Sequence, residues 1–250
     1  MGCTSNTTGC VDQYNCADGS CPDFLIKRND TKPDFKVKVD DCDGPIDLTD
    51  LVLEASMWVN GRLKVAMPST AEYLSLADNI GFNQVMIGDV IVINRPRQNE
   101  YMLVTAFDED NYYIQVQRGY HGTTPQNWKK GQDLKVIKFM NVPSTTLMNL
   151  DDVINIDGTT NSDVLTESFL VYNWQAADTC LPGCYIFEFK LMKMVTSVFV
   201  AAMSTTPSFS DPSIVNYRCA LPVNVEWIRR FPADSEGYKI KIYDSPTSEI

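Results

Sequence analysis

Eight cysteines, one histidine and three knots of carboxylates are the residues of this 250-residue chain whose types and spacing can do chemistry. Cys3, Cys10, Cys16 and Cys21 crowd into an N-terminal arm, residues 1–24, among Gly, Asn, Thr, Ser and Asp with almost nothing apolar to bury. Such an arm has no core to fold around, so its cysteines are its candidate fasteners. Four thiolates hold a zinc ion in a reducing compartment, and the same four close disulfides in an oxidising one. Six, five and four residues separate successive cysteines and no C-x-x-C knuckle is present, so zinc, disulfides and free thiols all stay open. Structural zinc is the one cofactor this pattern suggests.

His121 is the only histidine, and any Ser-His-Asp or Cys-His centre would be built on it. It stands between Gly119 and Gly122, the setting of a solvent-facing turn residue. Glycan cleavage would need two carboxylates a few ångströms apart. Asp40, Asp41 and Asp43, then Asp108, Glu109 and Asp110, then Asp151 and Asp152 all coincide with turn signals, and solvated turns account for them. A calcium loop ahead of Gly44 would need an oxygen ligand where Val39 stands. No Gly-rich phosphate loop is present. The chain reads as a non-enzyme, with no catalytic residue assigned.

A net charge of −11 with no Lys/Arg block argues against nucleic acid as a partner. No apolar run approaches the roughly twenty residues of a membrane span, and the first residues are polar rather than a signal-peptide core. Synthesis in a cytosol is the expectation.

The elements that must carry these residues are strands. Phe35, Val37 and Val39 alternate with Lys36, Lys38 and Asp40, and Asp43-Gly44-Pro45 turns the chain. Leu51 to Val59 alternates likewise, and Asn60-Gly61 is expected to form a tight hairpin turn because both residues tolerate positive φ. Ser69 and Glu72 have capping-box spacing, which predicts a short helix to about Ala77. Strands are predicted over Val85–Asn94, Tyr101–Phe107, from Tyr112 to Val116 and over Leu134–Phe139, then at Phe169–Trp174. Tyr185, Phe187, Phe189 and Leu191 make the best-patterned strand of the chain. Val225–Arg229 and Tyr238–Tyr243 recover strand character near the end, with Tyr238, Ile240 and Ile242 expected to close a sheet.

The stretch from Phe24 to Thr49, with its polar strand followed by D-G-P-I-D-L-T, resembles the N-terminal domain of the phage baseplate upper protein (BppU-like) family, as does L-P-G-x-Y-x-F-E-F from Leu181 to Phe189. Arg118-Gly119-Tyr120-His121-Gly122-Thr123-Thr124, followed by Trp128 and Gly131, resembles the RG-x-x-GT module of phage tail and fibre proteins. These resemblances imply an all-β protein: an immunoglobulin-like β-sandwich over residues 25–65 and 141–195, interrupted by a small β-barrel over 66–140. The arm 1–24 precedes it, and a C-terminal extension with closing strands, 196–250, follows. They imply a virion adaptor assembled in the host cytoplasm and present in several copies around a symmetry axis. Its partners would be other virion proteins of the baseplate, tail tip or neck, including fibres. A glycan- or receptor-binding module and a capsid decoration protein are the alternatives. In such a sandwich Cys42 would lie at the same end as Cys180 and Cys184, with Cys219 completing a weaker candidate cluster.

Tyr113 and Tyr120 are the candidate binding residues, since exposed aromatics stack on sugars and anchor partners. Against that, a small barrel needs Trp128 and one face of the Tyr112 strand for its own interior.

Overall fold

The computed structural model describes residue 16 and residues 22–41, 44–77, 84–96, 98–108, 112–154, 156–194, 225–232 and 237–244. Its strands are β1 (Phe24–Lys27), β2 (Phe35–Lys38), β3 (Asp40–Asp41), β4 (Gly44–Pro45), β5 (Leu51–Arg62), β6 (Tyr73–Leu74), β7 (Val90–Arg95), β8 (Gln98–Asp108), β9 (Tyr113–Tyr120), β10 (Asp133–Ile154), β11 (Thr160–Tyr172), β12 (Gly183–Met194), β13 (Val225–Phe231) and β14 (Tyr238–Tyr243). The all-β expectation holds, and no α-helix occurs among the described residues.

One long sheet runs β1-β14-β12-β5-β10-β7-β8-β9-β6, with β13 beside β12 and a branch from β10 through β11 to β2. The branch arises because β10 changes partner along its length. Asp133 to Ser144 pair with β5, and Thr145 to Ile154 pair with β11. The branch folds over the main sheet to give a sandwich-like pair of layers sealed by aromatic rings. Phe35 of β2 stacks on Phe189 at 5.7 Å and meets Phe187 edge-on at 5.1 Å, while Phe139 stacks on Tyr172 at 5.0 Å. Burial of these rings, with Tyr185, Ile240 and Ile242 beside them, is the main source of stability at this end of the molecule.

Where the period of two was clear, it was obeyed. Phe35 and Val39 are buried while Lys36 and Lys38 face water, and β14 closes the sheet between β1 and β12 as expected. Four local expectations fail. Asn60-Gly61 does not turn; β5 runs straight through, with Asn60 opposite Lys135 and Gly61 opposite Leu134. The helix after Ser69 is absent, because the Glu72 carbonyl accepts from Val116 and Tyr73–Leu74 pair with β9. Both faces of β5 are covered rather than one, so Glu54 and Ser56 are buried as well as Ala55 and Met57. Finally, the strands of the inserted segment do not close into a barrel. They extend the main sheet from β10 through β7, β8 and β9 to β6, and just past β6 the chain meets the end of β5 in one bridge rather than a continuous ladder: Leu76 opposes Leu63, Lys64 donates to the Ser75 carbonyl and Ala77 to the Arg62 carbonyl, each at 2.8 Å.

Backbone bonds also bring the two ends of residues 64–131 together. Leu63 donates to Gln132 and accepts from Gly131, at 2.9 and 2.8 Å. Residues 133–140, placed within the insertion on sequence grounds, are the first part of β10.

Candidate functional site

The RG-x-x-GT segment occupies the end of β9 and the following turn, and its residues are committed to holding that turn. Arg118 donates through Nε to Glu100 Oε1 at 2.5 Å and through Nη2 to Glu100 Oε2 and the Gln126 carbonyl, both at 2.8 Å. Its Nη1 donates to the carbonyls of Pro68 and Ala71 at 2.8 and 2.9 Å, so all five guanidinium N–H groups are used. Glu100, wholly buried, also accepts from Trp128 Nε1 at 2.7 Å and from the Gln126 amide at 3.0 Å. Burial pushes its carboxyl up, but the Arg118, Gln126 and Trp128 bonds together outweigh that and hold it below the usual carboxylate range. Gly119 sits at φ +66°, where a Cβ would come within 2.7 Å of the Thr123 carbonyl. Thr123 Oγ1 accepts from the Tyr101 amide at 3.1 Å and donates to the Tyr120 carbonyl at 2.9 Å.

This staple presents Tyr120 and His121 on the outer face of the sheet. Direct cross-strand partners point to one side, and the pairs Asn60–Lys135, Lys135–Val92, Val92–Tyr101 and Tyr101–Tyr120 therefore form a single row across five strands. His121 lies against Tyr120 with ring centroids 4.1 Å apart and stands edge-on to Tyr101 at 6.0 Å. Beside the row, Trp58, Val90, Val92 and Ile137 form a second, smaller apolar cluster separate from the main core. Lys135 Nζ sits 3.8 Å from the Trp58 ring, whose indole N–H donates to Asn60 Oδ1 at 3.0 Å. Burial against this face lowers the Lys135 pKa, with Arg230 and Lys190 adding to the effect and Glu188 opposing it. The row opens into a groove of about 440 Å³ lined by Asn60, Arg62, Val92, Asn94, Asp133 and Lys135, among others. Rings, amides and cations in this order suit contact with a polar ligand or a protein surface. Among the described residues no hydroxyl or thiol is hydrogen-bonded to His121.

Of the two candidate tyrosines, only Tyr120 belongs to this face. Tyr113 lies at the other end of β9, exposed and ~23 Å away along the strand. Trp58, Tyr101 and Lys135 were missed by sequence reasoning. Their alternation was visible, but the register that aligns them was not.

The cysteines are joined differently from the two groups set out above. Cys16 of the arm forms a disulfide with Cys184 at the start of β12, Cα atoms 5.7 Å apart, so the bond links one group to the other. A sulfur so engaged is no thiolate ligand, and a zinc site on the arm would have to do without Cys16. Cys180 is a free thiol, its Sγ 3.6 Å from Met86 Sδ. Cys3, Cys10, Cys21, Cys42 and Cys219 lie outside the described residues, and among the described residues no three His, Cys, Asp or Glu cluster in a way that could hold a metal ion. Next to the disulfide, Tyr185 donates from its hydroxyl to the Leu181 carbonyl at 2.8 Å, and burial raises its pKa. Nearby, the buried Asp89 takes Lys138 Nζ at 2.6 Å and the Met86 amide at 2.7 Å; its carboxyl is raised by burial and only partly restored by Lys138.

Of the carboxylate knots, four of the described members are exposed or bonded to neighbouring backbone and hydroxyl groups. Asp40 and Asp41 are exposed on β3, Asp151 accepts from Thr166 Oγ1 at 2.8 Å, and Asp152 lies near the Asp163 amide at 3.4 Å. Asp43, Glu109 and Asp110 lie outside the described residues.

Because Cys16–Cys184 closes a loop with a sequence separation of 168, reduction should lower stability by about 2–4 kcal/mol. Non-reducing peptide mapping should recover a Cys16–Cys184 cross-linked peptide, and thermal melts with and without reductant should differ. Coincident melts would show that the bond adds nothing.

No protein-family model matches the chain, and no curated protein matches it in sequence.

Proposed function

We propose that the chain is a non-enzymatic adaptor of a tailed-phage virion, at the baseplate, tail tip or neck, that joins ring-forming proteins to fibres or receptor-binding proteins. In this reading the two layers are an immunoglobulin-like sandwich carrying an inserted tail module. The observation that carries it is the β10–β11 ribbon. Beyond Ser144 and Ser168 these strands pair only with each other among the described residues, and they expose Leu150 (55%) and Ile154 (73%). A two-stranded ribbon is marginal on its own in water, and exposed apolar residues on it suit a contact surface. The Tyr185–Leu181 bond supports the sandwich assignment, since a tyrosine hydroxyl bonded to backbone a few residues upstream is a recurrent corner of such folds.

Mass spectrometry of purified phage particles and of isolated tails, with a knockout beside it, tests this reading. The chain should be present in both preparations, and knockout particles should lack complete tails. Complete, normally adsorbing tails made without the chain would overturn it. The row ending in Tyr101, Tyr120 and His121 favours one second reading, a receptor- or glycan-binding module. Its mark would be complete tails that fail only in adsorption.

A further inference from the structure

The two ends of β10 carry opposite charge. At the tip, the ribbon spanning residues 149–167 holds Asp151, Asp152, Asp157, Asp163 and Glu167 and no Lys or Arg of its own; Lys38 of β2 pairs with Glu167 at 3.2 Å, so five anions less one cation leave −4. Around the groove at the other end stand Arg62 and Lys135 in its lining and Lys129 and Lys130 on the adjoining turn, all exposed, against Asp133; four cations less one anion is +3 in a chain whose total is −11, and the nearby Glu188 is matched by Arg230. Arg62 and Asp133 are already paired, at 2.7 Å, while the lysine-bearing turn 129–132 is pinned beside them by the Leu63 bonds. Lys135 and Asp151 are sixteen residues apart along β10, a contour of ~50 Å at about 3.3 Å per residue, against a screening length of about 8 Å at physiological salt.

We infer that the acidic ribbon of one copy docks in the basic groove of the next, giving head-to-tail self-association of this chain. Pairing of ribbon with ribbon is disfavoured, since it sets −4 against −4. Ribbon to groove brings unlike charges together and covers Leu150, Ile154 and Ile156, which the single chain leaves in water. The contact is heterologous: each copy offers one of each surface, so repetition closes into a ring or continues as a filament. The inference extends the adaptor reading by naming a contact between copies. It is tested on the isolated chain, so its failure leaves the particle experiment to judge that reading separately.

Sedimentation velocity of the purified full chain over a range of salt concentrations is the test, with two charge-reversed variants. The wild type should self-associate at low salt and dissociate as salt rises. Asp151→Lys/Asp152→Lys alone and Lys129→Glu/Lys130→Glu alone should each weaken association by about tenfold or more. Mixing the two variants should restore it, because the reversed ribbon of one then meets the reversed groove of the other. Circular dichroism of each variant checks that it is folded, and Leu150→Ser/Ile156→Ser, which keeps all charges, serves as an independent weakening variant. A wild type that stays monomeric at about 100 μM in low salt, variants that associate as the wild type does, or a mixture that stays monomeric would each overturn the inference.

Discussion

Arg118→Met should destabilise the protein by about 3–5 kcal/mol at neutral pH, the usual cost of removing one member of a buried ion pair. Glu100 would keep its Trp128 and Gln126 donors but lose both guanidinium bonds, leaving a carboxylate with no side-chain exposure and no counter-charge. The pH dependence distinguishes this from a packing defect. In the wild type the Glu100 carboxyl lies below its ordinary value, so its contribution is present above the unfolded-state pKa and is lost as pH falls through the lower folded-state value. In the variant, burial is no longer outweighed and the folded-state pKa should rise, so acid that protonates Glu100 relieves the penalty. The stability gap between the two proteins should therefore be widest near pH 7 and shrink towards about pH 4. Urea denaturation at the two pH values measures it, and Arg118→Met/Glu100→Gln should recover much of the loss. A gap below about 1 kcal/mol, or one that ignores pH, would mean that the motif's arginine is not a staple.

The second large effect concerns where the insertion can be cut. Excising 64–131 and joining Leu63 to Gln132 through an Asn-Gly turn should leave a folded protein, since β5 and β10 stay whole and their ends already meet through the Leu63 bonds. Lys138 would lose Asp89 in that protein but gain water. Excising 66–140 should instead abolish folding. It removes the part of β10 that pairs with Met57 to Arg62, and it takes Phe139 from its stack on Tyr172. Circular dichroism and proton NMR dispersion of the two deletions decide the matter. An unfolded product of the shorter excision would show that the inserted strands and the layered core form one cooperative body, as the continuity of the main apolar cluster from Phe35 to Ile114 allows.

Sequence by itself determined the strands whose apolar faces are one-sided. Phe35, Val37 and Val39, or Tyr185, Phe187 and Phe189, bury alternate residues whatever lies beside them, because the period of two belongs to the extended chain. It also singled out the Arg118 to Thr124 phrase and the single histidine within it, His121. Decisions that depend on a distant partner were left to tertiary structure. Asn60-Gly61 can turn or run straight, and Leu134 and Lys135, more than seventy residues on, settle it by pairing with them. Ser69 and Glu72 can cap a helix, but β9 offers the Glu72 carbonyl the Val116 amide instead. Cys16 had three nearer thiols in its own arm and bonds one 168 residues away, because the fold brings β12 to it. The row from Asn60 to Tyr120 exists only through four registers at once. Local propensity is a property of a few neighbouring residues, whereas register, disulfide partner and a site spread over five strands are set by which surfaces the whole chain can bury together.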